Sequence, residues 1–201
     1  MAGQHWIRVV MERRLEELGR QLPLKRMTAA EISGRAWKRR GFRSYETLAY
    51  PSFDICRDRG EKRYDCIIAE QVWEHLIDPV AATANVFAML NPGGTFIIST
   101  PFLIKLHAGP LDCSRWSPTG MRSMLVRAGF EDKGMIVESW GNRACLIANL
   151  DKWAIYDPEK HDLKNEPDVP LVVWAIARKP AEAAAEAPAQ APAKQVATAA
   201  G

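Results

Sequence analysis

Apolar and polar positions switch between two periods along this chain, and the switches mark its elements. From residue 2 to 20 the period is helical. Trp6, Ile7, Val10, Met11, Leu15 and Leu18 recur at three- and four-residue spacing, with Arg13, Arg14, Glu16 and Glu17 opposite. Gly19 and Pro23 end the pattern. Such a stripe needs a surface: the edge of a sheet, a ligand site that it covers as a lid, or the partner in a dimer. Short strand patterns follow at 27–32 and 44–49, separated by the Ser33-Gly34 turn and a brief helical piece over 35–40 that Gly41 stops. Phe53 to Cys56 reads as a short extended piece before a charged loop at 57–63.

The second half is more regular. Strand 64–69 leads to a helix over about 79–90, the Asn91-Pro92-Gly93-Gly94 turn, and strand 95–100. A helix then starts at Ser117-Pro118 and ends at Gly129. A strand is expected over 133–139, a helix over 142–153, and a last strand over 171–178, where Val172 to Ala177 is a run of strand formers. Strands alternating with helices predict an α/β fold: a mostly parallel twisted sheet with helices on both faces. The late pair of strands is expected to form an antiparallel edge. Three regions follow: an N-terminal helix and linker (1–26), an α/β domain (27–179) and an Ala/Pro-rich tail (180–201) that is expected to be disordered.

Composition narrows the function. With 201 residues and 47% hydrophobic content, the chain can bury one ordinary core. A formal net charge of +3 gives no electrostatic reason to expect nucleic acid. Neither a membrane span nor a secretory signal is visible, so a cytoplasmic protein is expected. The four cysteines have no CxxC spacing, so free thiols and no metal are expected.

Chemistry-bearing residues gather past the ends of the two apolar strands. Glu70, Gln71, Glu74 and His75 follow the first, and His107, Asp112 and Arg115 lie in the loop after the second. Open α/β sheets bind ligands at such strand ends. The Leu90-Asn91-Pro92-Gly93-Gly94 turn before an apolar strand, the Glu74-His75 pair and the His107 to Trp116 loop resemble class I S-adenosylmethionine-dependent methyltransferases, in particular the small type 11 group. The resemblance covers roughly residues 27–180. It implies S-adenosyl-L-methionine as cofactor and a Rossmann-like fold.

Carried over residue by residue, the resemblance implies cofactor contacts from Glu31, Ser33 and Gly34 after the first strand, and from Tyr50 after the second. Asp54-Ile55 would clasp the adenine, and Glu70 and Gln71 would line the groove. Glu74 and His75 would orient their loop. His107, Asp112 and Arg115 are the candidate catalytic residues, with an Asp112–Arg115 brace as the alternative for that pair. The chain departs from the family at the glycine-rich turn, where only Gly34 remains and Arg35, Ala36 and Trp37 replace small residues. It also lacks the acidic residue after the second strand. The expected activity is O-methylation of a small-molecule acceptor such as a sugar, lipid-linked or polyketide-like hydroxyl. The alternative is a fold that has lost catalysis and serves as a binding or regulatory partner, by homodimer or protein contact through the N-terminal helix. The orientation of Arg35 and Trp37 separates the two. A dehydrogenase is disfavoured because no GxGxxG follows the first strand.

Overall fold

The computed structural model describes residues 3–181; the expected tail lies outside them from residue 182 onward. Six strands form one sheet in the order β2-β1-β3-β4-β6-β5. They are β1 (Thr28–Ile32), β2 (Ser44–Leu48), β3 (Tyr64–Glu70), β4 (Leu90–Pro101), β5 (Ile136–Trp140) and β6 (Val172–Arg178). The strands β2, β1, β3 and β4 run parallel. β6 is antiparallel to both of its neighbours, which gives the expected antiparallel pair at the edge. The central strands β3 and β4 are apolar because both faces of the sheet are covered.

On one face lie α2 (Pro79–Met89) and α3 (Pro118–Arg127), packed on Ala30, Ile67, Ala69, Phe96 and Ile98. On the other lies α1 (Val9–Gly19), whose Met11, Leu15 and Leu18 join Ala29, Cys66, Ile68 and Ile97. The cluster under α1 also takes in Cys145 of α4 (Arg143–Asp151). An isolated helix of this length is marginal in water. Docking on the sheet stabilises it, since each buried Met or Leu contributes roughly 1.5–3 kcal/mol. Of the surfaces open to the N-terminal stripe, the chain therefore uses its own sheet. Among the described residues no helix is long and apolar enough to cross a membrane.

Arg14 of α1 grips Glu138 of β5 with two hydrogen bonds, at 2.9 and 2.8 Å, and Glu138 also accepts from the Trp174 indole at 3.1 Å. Arg14 holds the Glu138 carboxyl below the usual carboxylate range. A depressed folded pKa means that the pair's stabilisation is complete above the unfolded value, about 4.3, and is lost as pH falls through the folded value. Both side chains are about one-third exposed, so the effect stays within about 1 kcal/mol. Glu138→Gln is expected to lower the melting temperature slightly at pH 7 and to remove that part of the acid sensitivity. Parallel melting curves at pH 3 and pH 7 check it.

The structure differs from the sequence expectation at several places. Residues 35–40 hold single turns instead of a helix, closed by Lys38 N–H to the Arg35 carbonyl at 3.3 Å and Arg40 N–H to the Trp37 carbonyl at 3.0 Å, while the Ala36 and Trp37 amides donate to the Glu31 carboxylate. Residues 53–56 are not extended: Arg57 N–H closes a turn onto the Asp54 carbonyl at 2.9 Å. The Asn91 to Gly94 segment is the first part of β4, tied to the sheet by a bond from Gly93 N–H to the Lys179 carbonyl at 3.1 Å. β5 starts three residues later than expected, after a turn in which Met135 N–H donates to the Asp132 carbonyl.

Candidate functional site

Two neighbouring features occupy the C-terminal ends of the parallel strands. The first is the turn after β1. Glu31 is buried, and its carboxylate accepts from the amides of Ala36 and Trp37, each at 2.9 Å, and from the Tyr45 hydroxyl at 2.7 Å. The turn is folded around this side chain. Ser33 takes a left-handed φ of 55°, and a Cβ on Gly34 would collide with the Glu31 carboxylate. Gly34 is thus required here for the close approach of a side chain. Gly34→Ala is expected to destabilise the protein by about 1–3 kcal/mol through displacement of that carboxylate, read as a lower denaturation midpoint.

Trp37 is buried in the layer beneath α1, where a Cβ on Gly19 would come within 2.9 Å of its ring. Its indole N–H donates to Glu70 at 2.5 Å. The ring is thereby held in the cluster beneath α1, and Arg35 is exposed. Ser33 is exposed and Gly34 half-buried, so the backbone of the turn stays open to a ligand. Tyr50, past the end of β2, is 76% exposed. At the end of β3, Gln71 has a left-handed φ of 57°, and its amide N–H donates to the Ser99 carbonyl at 2.9 Å.

The second feature is a cleft of about 190 Å³ beside the ends of β3 and β4. Its floor holds Gln71, Glu74, His75, Pro101 and His107; His5, Ile7, Arg8 and Trp153 also line it. The N-terminal segment is set there by bonds between Trp6 N–H and the Ala154 carbonyl, at 2.9 Å, and between Tyr156 N–H and the Gln4 carbonyl, at 2.8 Å. Trp73 is fully buried and donates to Thr83 at 2.9 Å, which fixes the turn after β3. It is a core residue. The Glu74 carbonyl accepts from Cys113 N–H at 2.7 Å, and His75 Nδ1 meets the Leu111 carbonyl at 2.5 Å. The loop after β4 is thereby stitched to the turn after β3.

These contacts bring Glu74, His75 and His107 together. Both Glu74 carboxylate oxygens are buried with no hydrogen-bond partner. The Nε2 atoms of His75 and His107 stand 3.8 and 3.9 Å from the same Glu74 oxygen, Oε1. Burial pushes the Glu74 carboxyl up to about 7. Burial also lowers the His107 imidazole, with His75 adding to the effect. Buried polar groups without partners are uncommon and point to a missing ligand, ion or proton.

Several expected site residues have other work. Asp112 and Arg115 form a bidentate pair, and Asp112 also accepts from His107 N–H at 2.8 Å. They brace the loop that presents His107 and are not themselves free for catalysis. Glu31 holds the turn from within and is not open to a cofactor. Ile55 is buried in the core under α2, so it offers no face to an adenine ring. Asp54 accepts from Cys56 N–H at 3.0 Å within its own turn and faces Arg57 at 3.7 Å. Glu70 is nearly buried between Trp37 and Arg8. Sequence reasoning passed over Arg8 and Trp153, and it gave Glu74 and His75 only the role of orienting their loop. Only Glu74 carried a signal, as an acid–histidine pair at a strand end.

The comparisons with known proteins agree with this fold. A family described as "Methyltransferase domain" matches residues 11–133. A Mycolicibacterium smegmatis protein described as a probable S-adenosylmethionine-dependent methyltransferase is 33% identical over 73 residues; the match spans 33% of this chain and 28% of that relative's length. Among solved structures, an S-adenosylmethionine-dependent methyltransferase from Mesorhizobium loti superposes with a TM-score of 0.53 at 17% identity, covering 82% of this chain and 96% of the other. A methyltransferase solved with the Haloferax volcanii Trm112 activator gives a TM-score of 0.55 at 15% identity, covering 85% and 92%. At these identities the two structures speak for the fold. The family match extends over more than half of the sequence, and the chain belongs to the methyltransferase-domain family.

Proposed function

We propose that this chain methylates a hydroxyl group of a small-molecule acceptor, such as a sugar, a lipid-linked sugar or a polyketide-like compound, in the cytoplasm. The observation that carries this reading is the buried Glu74 carboxylate, without a donor and flanked by His75 and His107 in the cleft. A hydroxyl is a poor nucleophile until its proton is removed, and a cluster of proton acceptors is what that step requires.

S-adenosylmethionine, when bound, supplies a methyl group already activated on a sulfonium. The chain's residues offer it the turn after β1, where Ser33 and Gly34 present open backbone, and Gln71 at the end of β3. Tyr50 stands at the end of β2, where no carboxylate is available for ribose hydroxyls. In strand order, β1 lies beside β3 and β3 beside β4. Adjacent strands are about 4.8 Å apart, so a cofactor on β1 and β3 has the cleft as its neighbour. Holding two reactants in line accounts for roughly 7–11 kcal/mol of such a barrier, which is why one proton-accepting cluster suffices. The apolar Ile7, Ile104 and Trp153 of the cleft favour an acceptor with an apolar face.

Asp54→Ala checks how the adenine end is held. Because the carboxylate already serves its own turn, S-adenosylhomocysteine affinity is expected to change little. A loss of about 10–100-fold, as for a charged hydrogen bond worth roughly 1.5–3 kcal/mol, would return Asp54 to the cofactor site. The acceptor class is tested with methyl-labelled cofactor and a panel of hydroxylated, amine and thiol compounds. Label on oxygen is expected. Transfer only to nitrogen or sulfur would overturn the reading.

A further inference from the structure

Glu74, His75 and His107 place two imidazole nitrogens and a carboxylate oxygen within 4.8 Å of one another. We propose that these three side chains form a binding site for a divalent transition-metal ion of the zinc type. The proposal goes beyond methyl transfer and does not depend on the acceptor.

The tautomer of His75 carries the first part of the argument. Its Nδ1 lies 2.5 Å from the Leu111 carbonyl, which can only accept, so Nδ1 bears the proton. In the neutral ring, Nε2 is then a bare lone pair. That lone pair faces Glu74 Oε1, also an acceptor, across 3.8 Å. His107 Nε2 faces the same oxygen across 3.9 Å. With Glu74 ionised and His107 in the tautomer that leaves Nε2 unprotonated, three lone pairs converge, and no hydrogen bond from another described residue satisfies the Glu74 carboxylate. One acceptor hydroxyl would satisfy only one of them. A divalent cation satisfies all three.

The dimensions agree. Zinc sits about 2.0–2.2 Å from nitrogen and oxygen ligands, so tetrahedral donor atoms lie about 3.4 Å apart. A contraction of about 0.5 Å brings each histidine from its present 3.8 or 3.9 Å to that distance from Glu74, and the two imidazole nitrogens already lie within 4.8 Å of each other. Two histidines and one glutamate leave the fourth position open, as in hydrolytic zinc centres. Imidazole and carboxylate together favour zinc, manganese, iron or cobalt over calcium.

The surroundings are built like an outer shell. The Nδ1 bond from His75 to a backbone carbonyl is the contact that commonly orients a ligating imidazole. The Asp112–Arg115 pair holds the backbone of His107. Arg8, the cation that also lines the cleft, lies 3.8 Å from Glu70 and 3.3 Å from Glu12.

The test uses the full chain, stripped with a chelator and titrated with cobalt(II) in the absence of cofactor and acceptor. The expected result is saturable binding of a single equivalent in the micromolar range, with a visible absorption band that zinc abolishes. Glu74→Gln and His107→Asn should each weaken it by at least about 100-fold, with unchanged circular dichroism. Glu74→Gln keeps the shape of the side chain and decides the matter if His107→Asn fails to fold. No saturable binding below millimolar cobalt, or undiminished binding in Glu74→Gln, would overturn the proposal.

Discussion

Glu31→Ala is expected to cost about 3–5 kcal/mol of stability, as for breaking a buried charged network by removing one partner. Two backbone amides and the Tyr45 hydroxyl lose their common acceptor at once. At roughly 2–4 °C per kcal/mol for a chain of this size, the melting temperature should fall by about 10 °C. The turn over Ser33 and Gly34 would lose its shape with it, so S-adenosylhomocysteine affinity should drop together with stability. Glu31→Gln keeps one acceptor oxygen and should lie between the two. Unchanged melting in both variants would show that the turn is held by something other than Glu31.

His107→Ala is expected to lower turnover by about 10²–10⁴-fold, the range for loss of a group that handles the transferred proton. Cofactor affinity should not change, because His107 lies in the cleft and not at the turn after β1. This separation of turnover from affinity distinguishes a residue that acts on the acceptor from one that shapes the fold. If turnover, affinity and melting temperature all fall together, His107 is a structural residue. Asp112→Asn is a useful companion: it loosens the brace on His107 without removing the ring, and a smaller loss of turnover is expected.

Local signals made much of the scaffold legible in the sequence. The apolar runs of β3 and β4 identified the centre of the sheet, since a strand covered on both faces has little room for polar residues. Ser117 and Pro118 marked the start of α3, and the Ser117 hydroxyl indeed accepts from Gly120 N–H at 3.2 Å. The same reasoning failed at 35–40. The local pattern there is helical, but the segment is too short to hold a helix by itself, and only single turns anchored on Glu31 form before Gly41.

The site was half legible. His107 stood out as a histidine in a loop after a strand. The cluster around it was not visible, because Glu74 and His107 lie 33 positions apart, on loops that follow adjacent strands. What joins them is a pair of long-range contacts: Cys113 N–H to the Glu74 carbonyl, and the His75 ring to the Leu111 carbonyl. The expectation of no metal rested on cysteine spacing, which carries no information about histidines brought together from two loops. Trp37 was read as a threat to the cofactor. Its burial beneath α1 depends on Gly19, a contact across 18 positions that sequence periodicity cannot reveal.

The central claim is that the reduced turn after β1 still makes a cofactor site. Calorimetric titration of the purified chain with S-adenosylmethionine and S-adenosylhomocysteine tests it most directly. Saturable binding in the micromolar range is predicted. No heat of binding at millimolar ligand, with the protein shown to be folded, would contradict the account and leave a methyltransferase fold that works as a binding partner.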